Sequence, residues 1–401
     1  MRSKTPLVVA LAVALAIVSS ARGADDQQWL QYRTADDPQR AGVIVRPAVL
    51  DILPKAPEGL ALPPGAAAET LFAKWKTPLV KEGFLYLAVV KETQGGPWSL
   101  AYIDSNGNGK LGDEKPVKLS PPALSSPQGG PSQFTEGRLV KILFPSSDGG
   151  QSTYHLNVYC YDYSGSRQLY VSSAGWYEGA VKVDGAEFFC ALIDYDSNGS
   201  FNDVSEDARA SDRIAVGAQR TYAAVPLSRY VQVGDKLYTP KPSPDGASIA
   251  FASAGDVKKG VVTVPPGITK LTLAGEAGQI SYTITDSRVS VPVGKWRAAG
   301  WQFEVKDKVS LPWVLVAADA KSAPQIEVVE GKGSAVDVGE PVIDSLTTSR
   351  QGESIYFAEI LKGRSGERIQ VTAGGKQPPA PSVRITNKDG TYDKTFQFQY
   401  G

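Results

Sequence analysis

Apolar and polar residues alternate with a period of two along most of the chain after residue 80, and no other feature constrains the fold as strongly. Such alternation places every second side chain on one face, as in a half-buried β-strand. The segments are rich in Val, Tyr, Phe and Thr, and the 40 Gly and 28 Pro of the sequence suit turns between many short strands. Only Ala66–Lys76 has a pattern that suggests a helix. We therefore predict an all-β, multi-domain fold of hairpin and β-sandwich units.

The alternation also suggests where the chain divides. We predict a signal peptide at 1–23, a β-rich region at 24–243, a small β unit at 244–322 and an immunoglobulin-like sandwich at 323–401. The boundary near 243 rests on a Pro-rich stretch at 240–246 that suits either a linker or a hairpin turn. The predicted strands are Phe84–Lys91, Ser99–Asp104, Arg138–Phe144, Tyr154–Tyr163, Glu178–Val183, Glu187–Asp194, Val261–Val264, Lys270–Leu273, Val314–Ala317, Ser354–Leu361, Ser382–Asn387 and Thr395–Tyr400.

The first 23 residues have the features of a secretory signal peptide. Arg2 and Lys4 precede the uncharged apolar stretch Leu7–Val18, and small residues stand at −3 and −1 of a cut before Ala24. No second apolar stretch is long enough to span a bilayer. We expect a secreted protein, either periplasmic, cell-surface or extracellular, that is not an integral membrane protein.

The charge balance argues against nucleic acid as a partner. Removing the first 23 residues takes away three of the 42 basic residues and none of the 42 acidic ones, which leaves 39 basic residues. The remaining chain is slightly acidic and has no basic block or stripe, so it lacks the charge that binds phosphate backbones or anionic membranes.

Two loops, ninety positions apart, follow one template of cation ligands. Loop one is Asp104–Asp113, loop two is Asp194–Asp203, and both have the pattern D-x-[DN]-x-N-G-x-[LF]-x-D. Each comes directly after a predicted hairpin, so we predict two related repeats. Oxygen-bearing side chains at positions 1, 3 and 5, Gly at 6 and a carboxylate at 10 suit a hard cation such as Ca²⁺. The predicted metal residues are Asp104, Asn106, Asn108, Lys110 and Asp113 in loop one, and Asp194, Asp196, Asn198, Ser200 and Asp203 in loop two.

These loops resemble the calcium-binding segments of EF-hand and dockerin proteins. An EF-hand has a bidentate Glu at position 12, where this chain has Lys115 and Ser205, and strands rather than helices precede the loops. Loops of the integrin-propeller kind are also similar but have Asp at position 9, where this chain has Gly112 and Asn202. The resemblance implies two calcium sites without moving helices, the tighter one in loop two because it has three acidic residues. The alternative is a pair of Asx-rich turns that bind no metal.

The single histidine and the two cysteines offer little catalytic chemistry. His155 alone cannot build a multi-His zinc site, and the sequence has no nucleophile-elbow, zincin or phosphate-loop motif. Cys160 and Cys190 form either one disulfide or two buried thiols.

The loops and the ending Phe396–Gly401 together resemble secreted β-rich proteins of environmental bacteria that combine D-x-D-x-N-G loops with a C-terminal immunoglobulin-like module. This resemblance carries no catalytic residues. We expect a calcium-stabilised, non-enzymatic, β-modular protein with a structural or binding role and a protein or glycan partner. Two alternatives stay open: a carbohydrate-binding module that uses Tyr159, Tyr161 and Tyr163 on one strand face, and a secreted hydrolase that uses carboxylates.

Overall fold

The computed structural model describes residues 27–60, 69–121, 132–146, 149–163, 166–234, 236–255, 257–306, 311–318 and 323–400. Within these ranges every regular element is a β-strand, apart from two 3₁₀ turns at Pro38–Ala41 and Ala208–Ala210, so the predicted all-β fold is confirmed. The predicted signal peptide lies outside these ranges. No helix within them is long and apolar enough to cross a membrane.

The strands up to residue 253 are, in chain order, β1 (Gln28–Trp29), β2 (Gln31–Thr34), β3 (Ala48–Val49), β4 (Asp51–Leu53), β5 (Glu69–Lys76), β6 (Phe84–Lys91), β7 (Leu100–Ile103), β8 (Val117–Lys118), β9 (Ser132–Pro145), β10 (Gln151–Tyr163), β11 (Ser166–Ser173), β12 (Gly175–Val183), β13 (Ala186–Ile193), β14 (Arg213–Gly217), β15 (Val225–Pro226), β16 (Val231–Val233), β17 (Lys236–Pro242) and β18 (Ser248–Ser253). The later strands are β19 (Lys259–Thr263), β20 (Ile268–Gly275), β21 (Gly278–Thr283), β22 (Arg288–Pro292), β23 (Gly294–Lys306), β24 (Pro312–Ala318), β25 (Gln325–Val328), β26 (Gly333–Ala335), β27 (Ile343–Gln351), β28 (Ser354–Lys362), β29 (Arg368–Ala373), β30 (Ser382–Thr386) and β31 (Asp393–Gln397).

Four antiparallel sheets build the first part of the molecule. Their strand orders are β4-β5-β6-β7-β8, β3-β11-β10-β9, β15-β14-β13-β12-β2 and β1-β18-β17-β16. Loop one connects the neighbouring strands β7 and β8, and loop two connects the neighbouring strands β13 and β14. Each loop therefore leaves and re-enters a single sheet. The four sheets share one apolar core whose buried residues run from Leu30 to Ile249.

The second part of the molecule has its own core. A three-stranded sheet, β22-β19-β26, and an eight-stranded sheet, β21-β20-β23-β24-β29-β28-β27 with β25 added on β23, contribute buried residues from Val262 to Ile369. The eight-stranded sheet joins strands from both sides of the predicted boundary at 322/323. A separate hairpin, β30-β31, follows. The immunoglobulin-like assignment of 323–401 stays a prediction.

The suggestion of a helix at Ala66–Lys76 is wrong, because Glu69–Lys76 forms strand β5 and 61–68 lie outside the described residues. β5 pairs along its whole length with β6 and along part of it with β4. Leu71, Phe72 and Ala73 are buried in succession, so both faces of this strand are covered. A strand covered on both faces loses its alternation, and a short apolar run of this kind cannot be told from a helix by periodicity.

Two ambiguous features of the sequence now have definite structures. The Pro-rich stretch at 240–246 is a hairpin turn, since β17 pairs with β18 and Pro242 lies opposite Ile249. Cys160 in β10 and Cys190 in β13 are free and buried thiols in different sheets. Burial raises the pKa of each thiol to about 12, so both behave as small apolar residues.

Candidate metal centre

Loop two begins where the most buried part of β13 ends. The last four residues of β13 are buried, and the next residue, Asp194, is fully buried as well. The strand thereby brings a carboxylate into the protein interior, where an ionised group without compensation is costly. Tyr154 compensates in part, because its hydroxyl donates a 2.5 Å hydrogen bond to Oδ2 of Asp194.

The backbone turns in the same way in both loops. Residues at positions 4 and 6 have positive φ angles, Gly107 (69°) and Gly109 (75°) in loop one and Ser197 (61°) and Gly199 (94°) in loop two. A Cβ on Gly199 would also lie 3.1 Å from the hydroxyl oxygen of Thr77. Glycine at position 6 therefore adopts the left-handed conformation without strain and also leaves room for the closely packed Thr77 side chain.

The two loops also share one set of hydrogen bonds. The carboxylate at position 1 accepts from the backbone N–H groups at positions 5 and 6, the Asn oxygen at position 5 accepts from the N–H at position 7, and the Asn amide donates to the carboxylate at position 10. These four bonds measure 2.9, 2.9, 2.8 and 2.7 Å in loop one and 3.2, 2.7, 2.8 and 2.8 Å in loop two. This hydrogen-bond network also suits an Asx-rich turn without metal. A metal site therefore requires further ligand groups beside those in the network.

Loop two is held by residues from several other strands. Trp75 of β5 donates through its indole N–H to the carbonyl of Ser197 (2.8 Å). The Ser197 hydroxyl donates to the carbonyl of Arg46 (2.8 Å) and accepts from the N–H of Ser173 (2.9 Å). The N–H of Phe201, whose ring is buried, donates to the carbonyl of Pro244 in the β17–β18 turn (2.9 Å). The site is therefore part of the core.

A further carboxylate joins loop two from the start of β14. Asp212 is 1% exposed, and its Oδ1 and Oδ2 accept from the N–H groups of Tyr195 (3.1 Å) and Asp203 (2.8 Å). These bonds fix the orientation of Asp212. One oxygen from each of Asp194, Asp196 and Asp212 lies within 4.8 Å of the other two, so the group can hold a metal ion.

Asp196 has an oxygen without a hydrogen-bond partner among the described residues. This atom, Oδ1, is buried, and Oδ2 accepts a long 3.4 Å bond from the Asn198 amide. Buried polar atoms in proteins nearly always have a partner, because the lost hydration is otherwise uncompensated. An ion bound between the three carboxylates would satisfy this oxygen.

The electrostatics of the cluster also favour a cation. Burial raises the pKa of Asp194, Asp196 and Asp212, and the neighbouring carboxylates raise each of them further. The hydrogen bonds from backbone N–H groups lower these pKa values but do not reverse the rise. A proton or a metal ion is the natural counter-charge for such a group.

Loop one has a weaker version of this arrangement. Asp104 is 3% exposed, whereas Asp113 is exposed, and the described residues around them contain no group of three convergent metal-ligating side chains. Glu114 takes the place that Asp212 has beside loop two, since it accepts from the N–H of the residue at position 2, Ser105 (2.8 Å), and from its hydroxyl (2.6 Å). Burial raises the pKa of Asp104, and three backbone N–H groups oppose that rise.

The sequence template identified Asp194 and Asp196 but missed Asp212. Asp212 lies nine positions beyond the end of the template, and only the pairing of β14 with β13 brings it to the loop. The available signal was an acidic residue directly before a strand-like run, Arg213–Val216. The other predicted ligands lie in their loops as hydrogen-bonded residues, and their role as ligands stays a prediction.

His155 lies apart from this chemistry. It is half-buried in β10, where its ring stacks on Tyr32 at 5.8 Å and its backbone N–H donates to the Tyr32 hydroxyl (2.9 Å). Burial, and then the nearby Lys141, lowers the pKa of the imidazole.

Comparison with models of protein families, with curated proteins and with solved structures gave no match.

Proposed function

We propose that the protein is a secreted, calcium-stabilised, non-enzymatic β-modular protein with a structural or binding role at the cell envelope or outside the cell. The observation that carries the proposal is the convergence of Asp194, Asp196 and Asp212, together with a buried Asp196 oxygen that has no hydrogen-bond partner among the described residues. The site is built into the fold of a large β core, so an ion bound there acts first on stability.

The donor set favours calcium among the common metals. The three converging residues offer only carboxylate oxygens, which hard cations prefer over the softer transition metals. Ca²⁺ accepts an irregular set of six to eight oxygens, whereas Mg²⁺ demands near-ideal octahedral geometry. The side chains of Asn198 and Asp203 and the carbonyl of Ser200 lie in the same loop and would complete an irregular set.

An extracellular setting supplies the ion at a useful concentration. Sites on extracellular modules bind calcium with dissociation constants of about 10⁻⁴ M. At about 1 mM Ca²⁺, mass action then adds roughly 1.4 kcal/mol per site to the free energy of unfolding.

Calcium titration by calorimetry, together with thermal unfolding in calcium and in EDTA, tests the proposal. We expect a heat of binding at loop two and a higher melting temperature in calcium. Identical melting curves in the two buffers would show that both loops are ordinary Asx-rich turns.

A carbohydrate-binding role is the second candidate, and the face of β10 favours it. Tyr161 and Tyr163 are 37% and 51% exposed, and Phe134 of β9 stacks beside them on Tyr159 with ring planes 12° apart. Exposed rings in a row can stack on the apolar faces of sugars, although tyrosines also half-bury well on sheets.

A glycan array tests this second role. The wild-type protein should retain glycans, and Tyr161→Ala with Tyr163→Ala should abolish that binding. Tyr392→Ala serves as the matched control, because Tyr392 is equally exposed but lies in the turn between β30 and β31. Equal glycan retention by the three proteins, or none by the wild type, would remove this candidate.

A further inference from the structure

A long hairpin arm extends from the second part of the molecule. β27 and β28 pair over nine residue pairs, from Ile343↔Lys362 to Gln351↔Ser354. β28 pairs with β29 only through Lys362↔Arg368, and β27 has no second partner strand among the described residues. Nearly all side chains of β27 are exposed. β27 is therefore a long, open sheet edge, a feature that proteins usually avoid or use for pairing.

The turn of the arm shows which backbone groups face this open edge. Gly352 and Glu353 form a two-residue turn, and Gly352 has a φ of 61°, as the first position of a type II′ turn requires. The pair that flanks such a turn, Gln351↔Ser354, is a hydrogen-bonded pair, and such pairs alternate along the ladder. Odd-numbered residues of β27 therefore bond to β28. Even-numbered residues direct their N–H and C=O groups to the open edge.

We propose that a second copy of the chain pairs with this edge, so that two β27 strands run antiparallel about a two-fold axis at Thr347. This register matches even-numbered residues with even-numbered residues over all nine positions, as the hydrogen-bond pattern demands. It places Asp344 opposite Arg350 of the partner subunit, and the same pair recurs on the other side of the axis. Ser345 faces Ser349 of the partner subunit.

The charges of the arm select this register. Neither Asp344 nor Arg350 makes an ion pair with any described residue of its own chain, and Arg350 donates through Nε to the carbonyl of Gly352 (3.0 Å). Burial, and then the nearby Asp344 carboxylate, raises the pKa of Glu359, so Asp344 has a like charge beside it within its own chain. A shift of two residues in either direction would place a neutral residue opposite each charge and shorten the ladder. Only the register with its two-fold axis at Thr347 pairs both charges.

An exposed apolar residue at the edge gains a contact in the same arrangement. Leu346 is 52% exposed and lies on the face that carries Asp344 and Arg350. Across the two-fold axis, Leu346 lies diagonal to Leu346 of the partner subunit, within reach for side-chain contact on one sheet face. The joined arms form a four-stranded sheet in which these two leucines meet at the centre.

Sedimentation velocity over a concentration series tests this dimer on the purified full chain. The wild type should dimerise, whereas Asp344→Arg alone and Arg350→Asp alone should weaken association by at least about tenfold, because each puts like charges opposite each other twice. An equimolar mixture of the two variants should dimerise again, since it restores two opposite-charge pairs. A wild type that stays monomeric, or variants that associate as the wild type does, would overturn the proposal.

A backbone variant tests pairing at the open strand edge independently of the charged side chains. Thr348→Pro removes an N–H that points to the open edge and leaves the bonds to β28 in place, so the protein should fold normally and remain monomeric. Thr348→Ala keeps that N–H and should dimerise. Circular dichroism and the melting temperature confirm folding. A folded Thr348→Pro protein that dimerises as tightly as Thr348→Ala would place the interface elsewhere.

Discussion

At the scale of single residues, the three carboxylates of the candidate metal centre lie close together and largely buried, and both conditions disfavour their ionised forms. Asp194 and Asp212 are almost fully buried, and one oxygen of Asp196 has no partner. Hydrogen bonds from the backbone and from Tyr154 orient these groups but leave them close together. Protons and a cation would compete for this cluster, so its occupancy should depend on pH.

In the absence of metal, stability should fall as pH rises from about 5 to about 8. The folded-state pKa values of Asp194 and Asp196 are raised to about 8 and about 6 from an ordinary value of 3.8. The folded state therefore binds more protons than the unfolded state in this window, and its stability is lost as pH rises through the raised values. Calcium requires the ionised carboxylates, so its stabilising effect should grow over the same range.

Melting temperatures in EDTA and in calcium, measured from pH 5 to pH 8, check this expectation. The difference in melting temperature between the two buffers reports on the metal site, because groups such as His155 contribute equally in both buffers. Asp196→Asn should flatten the curve in EDTA. A gap that is constant with pH would contradict the argument.

Asp196→Ala should remove the rise in melting temperature that calcium produces, because the side chain serves the ion, and it should not lower the melting temperature in EDTA near neutral pH, because the change also removes like-charge repulsion in the cluster. Loss of the site at about 1 mM Ca²⁺ corresponds to roughly 1.4 kcal/mol in the free energy of unfolding, or about 3–5 °C in melting temperature.

Asn106→Asp is the converse variant at the same position of loop one, and it should raise calcium affinity there. Calorimetric titration of both proteins provides the measurement. Equal affinities for wild type and Asn106→Asp would mean that loop one binds no calcium.

How much of the site the sequence could predict depends on how local each ligand is. Asp194 and Asp196 belong to a turn whose conformation is encoded within ten residues, with Gly199 at the left-handed position. Asp212 reaches the same point only because β14 pairs with β13, and no spacing rule contains that pairing. Long-range ligands of this kind need the sheet order before they can be predicted.

At the scale of elements, the β17–β18 turn acts as a support for loop two. Gly246 in this turn has a φ of 76°, and a Cβ there would lie 2.6 Å from the rings of Phe201 and Tyr177. The turn also accepts the Phe201 N–H through Pro244. The close approach of this turn therefore positions the far end of loop two.

Gly246→Ala should therefore destabilise the protein by about 2–4 kcal/mol and weaken calcium binding, because backbone strain and overpacking add. Gly234→Ala is the matched control, since Gly234 also has a positive φ (63°) but an added Cβ would meet nothing within 4 Å. Gly234→Ala should lower the free energy of unfolding by about 1 kcal/mol and leave calcium affinity unchanged. Denaturant unfolding and calcium titration of both variants make the comparison. Equal effects of the two would show that the turn does not support the site.

Two predicted strands agree closely with the structure. Phe84–Lys91 matches β6 at both ends, and Ser354–Leu361 differs from β28 by one residue. β5 was missed because its buried run Leu71–Ala73 has neither alternation nor a β-branched residue, whereas β6, which is also buried in succession over Leu87–Lys91, contains Val89 and Val90. The Pro-rich turn stayed ambiguous in the sequence, because the two strands that flank it are recognised only from their pairing with each other.

At the scale of the whole molecule, two cores meet beside loop two. The first is built by the four sheets up to residue 253 and the second by the two sheets from residue 259. The N–H of Arg229 donates to the carbonyl of Ala277 (2.7 Å), and the Gln279 amide donates to the carbonyl of Glu206 (2.9 Å). No sequence pattern predicts this junction, because each contact joins residues far apart in the chain.

Calcium should stabilise these two cores unequally. An ion at the proposed site would lie between β13 and β14, so it should suppress local opening of the surrounding first core, whereas the second core meets that region through contacts such as the hydrogen bond from the Gln279 amide to the carbonyl of Glu206. Hydrogen exchange with and without calcium should show slower exchange in β12, β13 and β14 and little change in β20 and β23. Asp196→Ala should remove the calcium effect in the first core and serve as the control. Equal slowing of exchange in both cores would mean that they unfold as one cooperative unit, and the division of the molecule into two cores would then describe packing without independent stability.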